Sequence, residues 1–198
     1  MDINKLKEQA DNQIQLREQL ISRYEDFRNI CDSLNDLIVE KQISKKEELI
    51  AEYKDYFTSN GFEVSEDNNF HKAIYKDTVI EFRDESPTIE TEVHFSLAIR
   101  PQGVYQTLVI KPESSKERML YFKNVLKYKD AFIEFKTGEE MFNSIKEVSE
   151  LEKLTRQLEE NINWYDRTVK EFKDINFIYG IYKTDREFTN FKQFFEAI

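Results

Sequence analysis

One spacing pattern constrains this chain more than any other feature. Leu6, Ala10, Gln13, Arg17, Leu20, Tyr24, Phe27, Cys31, Leu34 and Ile38 fall alternately four and three apart, the rhythm that keeps one seam of a helix turned towards a partner helix. A helix from about Asp2 to Lys41 follows. At 1.5 Å per residue it spans about 60 Å, too long to lie wholly on a small globule, so part of it is expected to project. Gln13 and Arg17 place polar side chains in the seam, where they set register at a cost in stability or lie beyond the packed region. Cys31 reads as a seam residue rather than a reactive thiol. As the single cysteine it excludes an internal disulfide framework and leaves no cysteine pair for structural zinc, which suits a reducing compartment.

Ser44 and Glu47 have the spacing of a capping box and predict a second helix that carries Leu49, Ile50, Tyr53, Tyr56 and Phe57 inward. Asn60-Gly61 is its expected stop, because glycine tolerates the left-handed conformation of a helix end. From Phe62 to Lys111 the helical rhythm gives way to alternation. Turn signals at Asp67-Asn68-Asn69, Lys76-Asp77, Ser86-Pro87 and Pro101-Gln102-Gly103 divide it into an antiparallel meander. The clearest strand holds Ile89, Thr91, Val93, Phe95, Leu97 and Ile99 on one face and Glu90, Glu92, His94, Ser96, Ala98 and Arg100 on the other. One face is buried and one is wet.

Pro112 to Ser115 opens an expected helix through Met119, Phe122, Val125 and Leu126, and Ala131 to Phe135 an expected short strand. A capping box at Thr137 and Glu140 then precedes a stripe of threes and fours from Met141 through Leu151, Leu158 and Tyr165 to Phe172. This predicts a second long helix of about 35 residues, paired antiparallel with the first. Asn176 to Tyr182 is rich in aromatic and β-branched residues, and a third box at Thr184 and Glu187 introduces a helix with Phe188, Phe191, Phe195 and Ile198 on one stripe. The fold class expected is therefore α+β: coiled-coil-like antiparallel arms at 1–43 and 136–174, an α+β head at 44–135, and a docking segment at 175–198.

The chemistry available is sparse. Gly61, Gly103, Gly138 and Gly180 stand too far apart for a phosphate-binding loop, and His71 and His94 are the only histidines, so a Ser-His-Asp relay or a His-rich metal site has almost no material. No cofactor and no metal is expected. His94 shares the wet strand face with Glu90 and Glu92, but solvent-facing polar residues of a half-buried strand explain this arrangement. Net charge is −10, from 29 basic and 39 acidic residues, which disfavours wholesale binding of nucleic acid phosphates. The segment 113–137 is the local exception, with 6 basic and 4 acidic residues. Within it Lys116, Lys123 and Lys127 recur at helical spacing and supply an alternative nucleic-acid-binding face.

Phe132-Ile133-Glu134-Phe135-Lys136 contains Glu-x-Lys at the end of a predicted strand. It resembles the core of the PD-(D/E)XK nuclease superfamily, and the resemblance implies Glu134 and Lys136 acting with an upstream Asp to bind Mg²⁺ and activate water. It covers about five residues. Asp130 is too near to sit on a neighbouring strand, and Asp77 and Asp84 lie more than 45 residues upstream, so a solvated strand edge is the reading preferred here and the nuclease is the alternative.

No apolar run approaches the roughly 18 residues of a membrane span, and Met-Asp-Ile-Asn-Lys lacks a signal peptide's apolar core. The expectation is a non-catalytic cytosolic interaction protein, an adaptor or inhibitor. Its Lys-, Ile-, Asn- and Glu-rich composition is compatible with a phage or other AT-rich genome. Glu81, Glu85, Glu90 and Glu92, with His94, are the expected partner-binding residues, presenting carboxylates that mimic nucleic acid. A protein partner is expected, along with a homodimer formed through Leu16, Leu20, Phe27 and Leu34 with Leu151, Leu154, Leu158 and Ile162.

Overall fold

The computed structural model describes residues 2–85, 93–113, 137–145 and 148–198. Helix α1 runs from Ile3 to Ser59, strands β1 to β5 cover Glu63–Asp67, Phe70–Tyr75, Thr78–Asp84, Val93–Arg100 and Val104–Pro112, and α2 and α3 cover Gly138–Ser144 and Val148–Lys173. Strands β6 (Phe177–Ile181) and β7 (Glu187–Phe188) and helix α4 (Phe191–Phe195) complete the chain. The α+β class holds. Ile89, Thr91, the expected helix through Met119 and the expected strand at Ala131 lie outside the described residues. The chain divides into two compact units, Met1–Leu37 with Leu120–Asp174, and Ile38–Met119 with Ile175–Ile198.

The expected helix break at Ser44 does not occur, and α1 is continuous through it. No Gly or Pro stands between Ile3 and Ser59, so nothing ends the helix, and Ser44 and Glu47 are simply neighbours one turn apart. The stop at Asn60-Gly61 is as expected. Gly61 has φ +80, its N–H donates to Thr58 O at 3.0 Å, and Phe62 N–H donates to Phe57 O at 3.0 Å. This is a Schellman closure, with its usual apolar contact supplied by Phe57 and Phe62, whose ring centroids are 5.1 Å apart.

In the first unit the seam residues Leu20, Tyr24, Phe27, Cys31 and Leu34 are buried, as are Met141, Leu151, Leu158, Tyr165 and Phe172. Gln13 is exposed and Arg17 half-buried, so the packed region begins near Leu20. The antiparallel pairing of the two long helices is corrected. Arg23 pairs with Glu159 at 3.5 Å and Phe27 meets Tyr165 edge-on at 5.3 Å, so the contacts advance in the same direction along both helices. Parallel neighbours cannot be joined by a short turn, and here the whole of β1–β5 intervenes in the sequence. The expected N-cap at Thr137 forms, with its hydroxyl accepting from Glu140 N–H at 3.1 Å. The helix it opens is short, however, because Ile145 adopts an extended conformation (φ −82, ψ 124) after Ser144. Gly138 lies against α1, where a Cβ would stand 2.9 Å from Ile21 Cα.

The second unit is a seven-stranded sheet in the order β1-β2-β3-β4-β5-β6-β7, antiparallel at every step. Three of the four expected turns are present: Asn68, Lys76 and Gly103 take positive φ values of 50, 51 and 73, and Ser86-Pro87 lies outside the described residues. The C-terminal segment supplies two further strands, with β6 beside β5. The inner face of the sheet buries Ala73, Ile80, Phe82, Phe95, Leu97, Leu108, Ile110 and Tyr179, together with Leu49, Tyr53 and Phe57 of α1 and Phe191 and Phe194 of α4. Rings organise this core: Phe82 is stacked between Tyr53 at 5.1 Å and Phe95 at 4.8 Å, and Phe195 meets Phe57 edge-on at 5.0 Å. The expected cap at Thr184 and Glu187 is replaced. Thr184 Oγ1 accepts from Arg186 N–H at 3.2 Å in a turn, Glu187 and Phe188 form β7, and Asn190 caps α4 by accepting from Gln193 N–H at 2.9 Å. The local hydroxyl bond competes with the helix start there.

Candidate interaction surface

The strand register assigns each residue of the second unit to a face. With Phe82 and Leu97 inward, the outward residues include Lys72, Glu81, Ala98 and Tyr105 across one row of β2–β5, and Phe70, Arg83, Ser96 and Thr107 across the next. Glu81, an expected partner-binding residue, is therefore outward, but it does not stand alone. Lys72 is opposite it on β2, and Arg100 Nη2 lies 3.0 Å from its Oε2. Ala98, although outward, is only 5 % exposed. Arg83 lies over the Phe70 ring, 5.3 Å from its centroid.

His94 is outward and half-buried, and meets the Tyr182 ring edge-on at 5.0 Å. Glu85 is exposed beyond the end of β3, and its N–H donates to His94 O at 2.9 Å. Glu90, Glu92, Lys116, Lys123, Lys127, Glu134 and Lys136 lie outside the described residues. Glu81 and His94 thus share one face, on a surface that also carries Lys72, Arg83, Arg100 and Lys111, and Glu85 follows directly on the end of β3. Glu63 and Asp67 of β1 and Glu187 of β7 balance these cations. Lys111 Nζ pairs with Glu187 at 2.8 Å, and its stem passes over Gly180, where an added Cβ would stand 3.3 Å from Lys111 Cε. The described face is mixed in charge.

Two tyrosines stand out from this face, Tyr105 at 72 % and Tyr182 at 42 % exposure. Sequence reasoning placed neither in a site. The alternation of β5 was a signal for Tyr105, but Tyr182 is brought beside His94 only by the pairing of β6 with β5, where Tyr182 N–H donates to Thr107 O at 2.9 Å.

A cleft of about 370 Å³ also lies within this unit, lined by Lys41, Ser44, Lys45 and Glu48 of α1 and by Glu113, Ile175, Asn176, Phe177, Ile178 and Thr189. Its polar groups largely satisfy one another. Lys41 Nζ donates to Ile175 O at 2.9 Å, Lys45 Nζ pairs with Glu48 at 2.7 Å and lies 4.4 Å from the Tyr179 ring centroid, and Asn176 Nδ2 donates to Glu113 Oε2 at 3.2 Å. Burial pushes the Tyr179 phenol well above its ordinary range, with Glu52 and Glu48 adding to the effect. Of the sequence-predicted site residues that are described, Glu81, Glu85 and His94, none lines this cleft.

Among the described residues no three His, Cys, Asp or Glu side chains gather as a metal site, and no helix is long and apolar enough to cross a membrane. No family model, no curated protein and no solved structure matches the chain.

Proposed function

We propose that the chain is a non-catalytic cytosolic interaction protein, an adaptor or inhibitor that binds a protein partner through the outward face of its sheet. The observation that carries the reading is Tyr105, a large ring 72 % exposed on a strand whose other face is core. Tyrosine and arginine are among the side chains that most often dominate binding energy at protein interfaces, and Tyr105 stands in a row with Glu81, whose carboxylate Arg100 meets. Alternating charges around such an anchor fix register and exclude wrong partners. Glu81, Glu85 and His94 belong to this surface as part of its polar surround, and a mixed face favours a protein over a polyanion.

A photo-crosslinking residue introduced at Tyr105 tests the reading in the native cell. One protein is expected to be captured, and the Arg100→Glu substitution is expected to abolish its capture; a probe at Asp166 on α3 serves as the control. Equal capture from positions 105 and 166, or capture indifferent to Arg100→Glu, overturns the assignment of this face.

A homodimer is part of the same proposal. Of the side chains expected to form it, Leu20, Phe27, Leu34, Leu151 and Leu158 are buried within one chain, and Leu16, Leu154 and Ile162 are half-buried. Its support is instead the exposed start of α1, where Ile3, Leu6 and Ile14 are 68 %, 42 % and 56 % exposed and Leu6 continues the seam.

A further inference from the structure

The second unit buries an imidazole at the edge of its sheet. His71 of β2 faces inward and its side chain is 1 % exposed, beside the stacked rings of Tyr53 at 6.2 Å and Phe82 at 6.4 Å. Its Nδ1 has no hydrogen-bond partner. A buried polar atom left unpaired costs free energy, so its retention calls for an explanation.

The charges around the ring come from three elements. Glu66 of β1, opposite His71 in register, brings Oε1 to 3.7 Å from Nδ1, and Lys54 of α1 pairs with that same carboxylate. Asp84 of β3, on the inward face with His71, pairs with Lys46 of α1. Tyr53 of α1 directs its hydroxyl to Ile80 O at 3.0 Å. Each carboxylate near the ring is therefore already held by a lysine of α1. The neutral imidazole fits this slot as an aromatic ring, whereas a proton would place a third cation there with no anion of its own among the described residues.

We propose that His71 is an acid-sensitive latch, which holds the edge hairpin β1–β2 against α1 while its ring is neutral and releases the hairpin when the ring takes a proton. Desolvation of the ring is the largest influence on its titration and lowers it, outweighing the attraction of Glu66. The folded hairpin thus binds the proton less readily than an opened one. Its stability is complete above the ordinary histidine range near 6.5 and is lost as pH falls below it. Among the described residues β1 pairs only with β2, so the hairpin can open by parting from β3 alone.

The chain has only two histidines, so the His71 imidazole resonance is assigned by its loss in a His71 variant. In the full chain it should titrate below the ordinary histidine value near 6.5. Hydrogen exchange, corrected for intrinsic rates, should show protection of β1 and β2 amides falling between pH 7.5 and 5.5, at a slope of up to about tenfold per pH unit. Protection of β4 and β5 should hold over the same range. The His71→Phe substitution should abolish the differential fall, and His71→Gln provides a second non-titrating ring replacement in case phenylalanine does not pack. His71 titrating at or above about 6.5, no differential loss in the parent chain, or the same loss in a folded non-titrating variant would each overturn the latch.

Discussion

Tyr53 lies flat on Phe82, with centroids 5.1 Å apart and planes inclined by 13°, and from that position its hydroxyl donates to the carbonyl of Ile80 at 3.0 Å. The ring and the hydroxyl contribute separately. Tyr53→Phe keeps the stack and removes one buried hydrogen bond, a loss of about 1 kcal/mol. Tyr53→Ala removes the stack as well and should cost about 3 to 5 kcal/mol. Urea unfolding followed by fluorescence should rank the two variants in that order, and equal losses would contradict the separation.

Gly138 makes a different demand. A methyl group there would stand 2.9 Å from Ile21 Cα and 3.0 Å from Ile21 O, and backbone atoms cannot rotate aside. Gly138→Ala is expected to destabilise the first unit by about 1 to 3 kcal/mol. Gly103→Ala, whose Cβ would meet nothing within 4 Å but whose φ is +73, should lose only about 1 kcal/mol through backbone strain. Thermal unfolding of the two variants distinguishes a steric from a conformational penalty.

Leu20 and Leu158 are each fully buried, so glutamate at either position should unfold the first unit rather than merely separate two chains. Losses of several kcal/mol are expected, seen as reduced helical circular dichroism. Leu6→Glu, at an exposed position, should leave the helix content intact. In the proposed dimer it should also return the scattering mass to that of one 23.8 kDa chain. A parent chain already at that mass across micromolar concentrations would refute the dimer.

Acid should act on β1 through a second group. The Lys54 ammonium beside Glu66 holds its carboxyl below the usual carboxylate range. The stabilisation is present above the ordinary carboxylate value and is lost as pH falls through the lowered one. Because Glu66 is exposed, salt should weaken the effect. Glu66→Gln should flatten the stability profile in the acid range at low ionic strength, and a profile unchanged by both the substitution and added salt would show that the pair contributes nothing.

The parts of the fold legible in the sequence were those written in short spacings. Leu20, Tyr24, Phe27 and Cys31 announce a buried helix seam by period alone, and Val93, Phe95 and Leu97 announce an inward strand face by alternation. Lys76-Asp77 and Pro101-Gln102-Gly103 mark turns because few residue types tolerate their conformations. Ser44 and Glu47 misled because a capping box is two side chains one turn apart, an arrangement a helix interior also accommodates. The direction of α3 along α1 and the place of β6 beside β5 depend on contacts more than 60 residues apart in the sequence, which no local pattern encodes. The same limit applied to the surface. Alternation put Arg100 on the wet face of its strand, but only the contact across β3 and β4 shows its guanidinium reaching the Glu81 carboxylate.

The pairing of β5 with β6 also has an order in time. During synthesis β1 to β5 emerge first and can assemble from neighbours along the chain, while β6 begins only at Phe177. Until then the edge of β5 from Leu108 to Pro112, later covered by β6, presents its amides and carbonyls bare, in a segment that buries Leu108, Val109 and Ile110 in the finished sheet. At the usual pace of about 5 to 20 residues per second the ribosome leaves that edge open for seconds, an interval in which other nascent chains compete for the place β6 will take.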